Sequence, residues 1–182
     1  MQFDNKIGSI QQILTATNVG ILRRQSILKE LNLKKGQTII DIGCGGGHLV
    51  EEISMCVGPM GKAIGVDPSE FQIKTAKERC KNLSNVQFIC SNANDINIEI
   101  NSCDAVTFTQ TLEYIDDVDE ALYSAKRLQK PISIFVNVST LWDFFGFHGP
   151  EKGLNDMMHE IYRSQKHPML PTKLNGKLEK QG

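Results

Sequence analysis

Apolar positions along the chain switch repeatedly between helical and strand-like spacing. Val19, Ile21, Leu22, Ile27, Leu28 and Leu31 recur at roughly helical intervals, predicting a helix over 19–31 with Gly36 of Lys34-Lys35-Gly36 as its stop. Residues 38–42 (TIIDI) are β-rich and apolar on both faces, as a central parallel strand is. A helix is expected over 47–56 and a second strand over 62–66. Ser69 and Gln72 have the spacing of a capping box, opening a helix that buries Ile73, Ala76 and Cys80 on one stripe. Further strands are expected over 86–90, 105–108 and 132–138, with helices over 117–128 and 171–181. Strand and helix alternating in this way predict an α/β fold: one domain over 1–182 with a doubly wound, mostly parallel sheet and right-handed crossovers. Residues 1–17 read as a flexible start. Ligands in such sheets bind beyond the carboxyl ends of the strands, so the chemistry is expected directly after each strand.

Composition narrows the ligand. The 182 residues are 40% hydrophobic and 23% charged, the balance of a globular protein with one core. A net charge of -1 supplies no global field towards nucleic acid or anionic lipid, which leaves a small molecule as the expected partner. The five cysteines are Cys44, Cys56, Cys80, Cys90 and Cys103. Their odd number and the lack of a CxxC pair argue against a disulfide framework or a zinc site, and no metal is expected. The first residues, MQFDNKIGSIQQ, contain no apolar signal core, and no apolar run reaches the ~20 residues of a membrane span. A cytoplasmic location is expected.

The first strand runs into Gly43-Cys44-Gly45-Gly46-Gly47-His48. Glycines here permit positive φ and close approach of a ligand to the backbone, and the following helix start presents free N–H groups. A dinucleotide loop would carry its third glycine at position 48, which is His48. Asp41 stands two residues before the first glycine. Its carboxylate would repel a pyrophosphate but suits the ammonium group of an amino acid, directly or through water. Asp67 follows the second strand, 26 residues after Asp41, where a carboxylate can accept both hydroxyl protons of a ribose. Ser91-Asn92-Ala93-Asn94-Asp95 after the third strand can meet a base edge, and Thr109-Gln110-Thr111-Leu112-Glu113-Tyr114 follows the fourth.

Taken together, Ile40 to Gly47, Gly65-Val66-Asp67-Pro68, Asn92-Ala93 and Cys103 to Val106 resemble the class I S-adenosylmethionine-dependent methyltransferases. The nearest group is the ubiquinone/menaquinone-methyltransferase-like one. Its Gln-x-Leu-Glu-Tyr, Trp-Asp and His-Pro-x-Leu-Pro patterns stand here at Gln110–Tyr114, Trp142-Asp143 and His167–Pro171. The resemblance implies a Rossmann-like methyltransferase fold that binds S-adenosyl-L-methionine and methylates a small-molecule acceptor. Gly43 and Gly45 would hold the methionine part, Asp67 the ribose, and Asn92 with Ala93 would flank the adenine, with Gln110 near the sulfonium; Asp41 and Pro68 complete the expected cofactor-binding set. Residues 139–182 would face the acceptor, where Trp142, Phe144, Phe145, Phe147 and His148 follow the fifth strand. The catalytic residue is unknown, with His148 and Tyr114 as candidates for a base.

The chain departs from the family pattern in three places. Asn92 replaces the usual Asp, and Pro131-Ile132-Ser133 replaces a Pro-Gly-Gly turn that Ile132 cannot copy. The chain also ends at Gly182, where the family continues into a strand hairpin, so an incomplete sheet with an exposed edge is expected. A catalytically silent cofactor-binding or interaction module is therefore the alternative, and a nucleotide-dependent oxidoreductase is disfavoured by His48. Cys44 reads as a small side chain packed under the loop, and the acidic group Asp116, Asp117, Asp119 and Glu120 as a helix start.

Overall fold

The computed structural model describes residues 12–144, 153, 156 and 166–181. Its centre is a sheet of five parallel strands in the order β3-β2-β1-β4-β5. The strands are β1 Thr38–Ile42, β2 Lys62–Asp67, β3 Val86–Cys90, β4 Cys103–Thr109 and β5 Gln129–Val138. The helices are α1 Asn18–Leu31, α2 His48–Val57, α3 Glu70–Arg79, α4 Val118–Leu128 and α5 Leu170–Gln181. The chain order reverses between β1 and β4, the place where ligands sit in doubly wound sheets.

Side chains of a strand alternate between faces, and the core divides accordingly. Ile39, Ala63 and Ala105 pack with Ile27 and Leu31 of α1, Val50, Ile53 and Val57 of α2, and Ile73 of α3. Ile40, Ile42, Ile64, Val66, Val106 and Phe108 pack on the other face with Ala121, Leu122 and Ala125 of α4 and Leu170 and Leu174 of α5. Each fully buried Val, Ile or Leu contributes roughly 1.5–3 kcal/mol. Asp41 lies between Ile40 and Ile42, so it points to the α1–α3 face and is buried there.

Three sequence expectations are corrected. The buried stripe of α1 is Gly20, Arg24, Ile27 and Leu31, while Val19 and Leu22 are exposed. Gly20 lies against the Thr15 carbonyl, where no side chain fits. Arg24 is buried because its guanidinium donates to Thr15 O (2.6 Å) and pairs with Glu52 (2.8 Å). The helix stops at Asn32 (φ 45°), which takes the left-handed conformation, while Gly36 (φ 85°) serves the turn into β1. β5 begins at Gln129, directly after α4, instead of at residue 132. Between the pairs Cys103↔Gln129 and Ala105↔Ile134 the register shifts, and Pro131 sits in that irregularity, a place where a strand tolerates proline. Among the described residues β5 pairs only with β4, so it forms one edge of the sheet.

Candidate functional site

The loop after β1 is folded back over β2. The backbone N–H groups of Gly43 and Cys44 both donate to Val66 O (2.7 and 3.0 Å), and Gly47 N–H closes a turn onto Cys44 O (3.1 Å). Gly43, Gly45 and Gly47 all have positive φ (79°, 50° and 79°). At Gly43 a side chain would also overlap that of Thr111, whereas above Gly45 nothing lies within 4 Å of where a Cβ would stand. The crest of the loop is open while its base is tightly packed. Cys44 is buried beneath it, and a Cβ on Gly65 would come 2.8 Å from the Cys44 sulfur. Burial pushes the thiol well above its ordinary value, so Cys44 is a neutral packing residue.

Asp67, the last residue of β2, ties this loop down. Its Oδ2 accepts from Gly45 N (2.9 Å) and its Oδ1 from Ser69 N (2.9 Å). Burial raises the carboxyl against those two bonds. Each oxygen keeps a further lone pair for a ligand. The segment after β3 lies alongside, since Ser91 N donates to Asp67 O (3.2 Å). Asn92 and Pro68 are exposed there, while Ala93 packs into the core. Ser69 caps α3 through Gln72 N (3.4 Å).

Asp41 is 2% exposed, and its Oδ1 has no hydrogen-bond partner. Desolvation, and then the charge of Asp67, push its carboxyl up to about 7. His48, the first residue of α2, is pushed down to about 4 by burial and by Arg79 and Arg24, which keeps it neutral near pH 7.

At the end of β4, Gln110 has φ 52°, unusual outside glycine. Its N–H donates to Val138 O (2.7 Å) and its Oε1 accepts from Thr140 Oγ1 (2.9 Å). The brace beneath is Glu113, fully buried in the 3-10 turn Leu112–Tyr114. Glu113 accepts from Ser139 Oγ (2.9 Å) and Thr140 N (3.3 Å), joining the ends of β4 and β5, and burial raises its carboxyl. In the sequence Glu113 stands only as a letter of the Gln-x-Leu-Glu-Tyr pattern. Tyr114 is half-buried in the same turn. Trp142 is half-buried, with its backbone N–H on Pro168 O (3.1 Å), and Phe144 is exposed. Phe145, Phe147 and His148 lie outside the described residues.

Gln12 carries no signal in the sequence. Its side chain lies over Gly46, donates to Gln72 Oε1 (2.9 Å) and accepts from Arg79 (3.3 Å), while Arg79 Nε donates to Gly46 O (2.8 Å). The acidic group at the start of α4 acts as a cap: Asp117 accepts from Glu120 N (3.0 Å), and Asp119 pairs with Lys177 (2.8 Å). Among the described residues no cluster of metal-ligating side chains occurs, and no helix is long and apolar enough to cross a membrane.

Known proteins resemble this chain in sequence and in fold. The family model described as "Methyltransferase domain" matches residues 33–170. Demethylmenaquinone methyltransferases from Staphylococcus carnosus and Staphylococcus aureus are 35% and 32% identical over 117 residues, 64% of this chain. The chain spans about half the length of those relatives (48%). Among solved structures, an Aquifex aeolicus SAM-dependent methyltransferase superposes with a TM-score of 0.69 at 24% identity, over 87% of this chain and 78% of that one. The [4+2]-cyclase SpnF superposes with a TM-score of 0.56 at 24% identity, over 60% of this chain and 41% of that one. With the family match covering most of the chain, this protein belongs to the class I S-adenosylmethionine-dependent methyltransferases.

Proposed function

We propose that the chain binds S-adenosylmethionine across the loop after β1 and transfers its methyl group to a small-molecule acceptor. The observation that carries this reading is the buried Asp41 carboxylate, with an orphaned oxygen, beside the open crest at Gly45. A buried acceptor left unpaired is costly unless a donor reaches it, and an amino-acid ammonium group is such a donor. Asp67, whose oxygens retain lone pairs, is the ribose ligand in this reading, with Pro68, Asn92 and Ala93 flanking the base. Gly43 and Gly45 bring backbone against the methionine part. Gln110 stands at the rim, held in its strained conformation by β5. When bound, the cofactor supplies an activated methyl group on a sulfonium that is already a good leaving group. The protein's share is then chiefly to align an acceptor with that methyl group. Tyr114 is the described candidate for taking a proton from an acceptor, and His148 is the other candidate.

The relatives' name favours an acceptor of the demethylmenaquinone kind, an apolar aromatic ring, and Trp142 and Phe144 after β5 offer apolar surface for one. The fold also supports a cyclase, so fold alone does not fix the reaction. The test is transfer of tritiated methyl groups from S-adenosylmethionine into a small-molecule and lipid extract. Label appearing in a low-molecular-weight product is expected. A chain that binds the cofactor yet labels nothing is a silent binding module, and methyl transfer is then wrong.

A further inference from the structure

Residues 12–16 form a helical turn that bends at Thr17 before α1 begins. Thr17 serves both sides of the bend, since its Oγ1 donates to Leu14 O (2.6 Å) and accepts from Gly20 N (3.3 Å). Of residues 12–17, Gln12 and Thr15 are half-buried and the rest are exposed, Ile13 and Leu14 among them. Those two are the residues tied down. Thr15 O accepts from the buried Arg24 (2.6 Å), which Glu52 of α2 holds in place (2.8 Å). Gln12 Nε2 donates to the buried Gln72 Oε1 (2.9 Å), and Gln12 Oε1 accepts from Arg79 Nη2 (3.3 Å). Polar anchors, not a buried apolar face, hold this turn on the protein.

Two glycines make room for it. A Cβ on Gly20 would overlap the Thr15 carbonyl, and one on Gly46 would overlap the Gln12 amide. Gly46 belongs to the loop after β1, and it is buried although the neighbouring crest at Gly45 is open. Arg79 grips Gly46 O (2.8 Å) with the same guanidinium that holds Gln12. Release of Gln12 therefore uncovers Gly46 and removes one of the partners that fix Arg79 against the loop. A segment with exposed side chains and few buried apolar contacts opens far more readily than the core. We propose that residues 12–17 are a strap, hinged at Thr17 and latched by Gln12, whose opening sets how fast a ligand enters and leaves the glycine loop. The identity of that ligand rests on the cofactor reading above. Gln12 is a gating residue here and makes no contact with the ligand.

Stopped-flow binding of S-adenosylhomocysteine to the wild type, Gln12→Ala, Gly46→Ala and the double variant tests the latch. Gln12→Ala should raise the association and dissociation rates together by about tenfold, the factor for the hydrogen bonds lost, and leave Kd unchanged. Gly46 is not one of the positive-φ glycines, so alanine fits its backbone and its Cβ meets the Gln12 amide. Gly46→Ala should evict Gln12 and reproduce the faster exchange, and the double variant should be no faster than Gln12→Ala. Amide hydrogen exchange over residues 12–17 of the ligand-free protein should rise in all three variants. Unchanged rates, a weaker Kd carried by dissociation alone, additive effects of the two substitutions, or unchanged amide exchange would each overturn the latch. A wild type that does not bind S-adenosylhomocysteine would instead overturn the cofactor reading and the gating that rests on it.

Discussion

Replacing Asp41 by asparagine will flatten the pH dependence of stability and weaken cofactor binding at the same time. The Asp41 carboxyl sits at about 7 in the fold against an ordinary 3.8, chiefly because burial penalises its charge and secondarily because Asp67 repels it. The folded chain therefore holds this proton more tightly than the unfolded chain does. Its contribution to stability is fully present below pH ~4, is lost as pH rises to ~7, and stays absent above. A shift of this size corresponds to about 4 kcal/mol across that window. The amide in Asp41→Asn does not titrate, so urea denaturation at pH 5 and pH 8 should show the difference in the wild type and not in the variant. Parallel behaviour of the two proteins would contradict the buried-charge account. The same variant lacks the anion that would face the ammonium group. Its affinity for S-adenosylmethionine should fall by roughly 10–100-fold, the range for a hydrogen bond to a charged group. In the wild type, affinity should rise with pH until Asp41 is ionised and then level off.

Asp67→Ala is expected to lower affinity by a similar ~10–100-fold, or about 1–3 kcal/mol. It differs from the Asp41 variant in its effect on the free protein. Asp67 holds Gly45 N and Ser69 N, so alanine leaves both donors without their partner and loosens the glycine loop and the start of α3. The free protein should melt lower at every pH, and Asp67→Asn, which keeps one acceptor oxygen, should fall between wild type and alanine. Scanning calorimetry and cofactor titration of the three proteins check this. Unchanged affinity in Asp67→Ala would remove the ribose assignment.

What could be read in the sequence was locally encoded. β1 and β3 have the predicted limits because short apolar runs there are bounded by turn residues on both sides. Ser69 caps α3 as its spacing implied. The glycine loop was equally local: a strand end, a carboxylate and glycines within seven residues. What remained hidden depends on distant partners. The buried face of α1 contains Gly20 and Arg24, which carry no hydrophobic signal and are selected by Thr15 and Glu52. The start of β5 depends on how Pro131 is accommodated against β4. Glu113 resembles a surface acid in the sequence and is buried only because Ser139 and Thr140 come back to it from the next strand. Gln12 reaches its partner Gln72 across 60 residues of chain. Thr107 reads as an ordinary β-former, and only the register across β1 and β4 sets it beside Asp41.

The central claim is that the loop after β1 is built for a methionine-derived nucleoside and not for a dinucleotide. Isothermal titration of the purified chain with S-adenosylmethionine, S-adenosylhomocysteine and NAD tests it most directly. Saturable binding of the first two, with no heat from NAD, is the predicted result. Binding of NAD alone, or no binding of either methionine-derived ligand, would contradict the account.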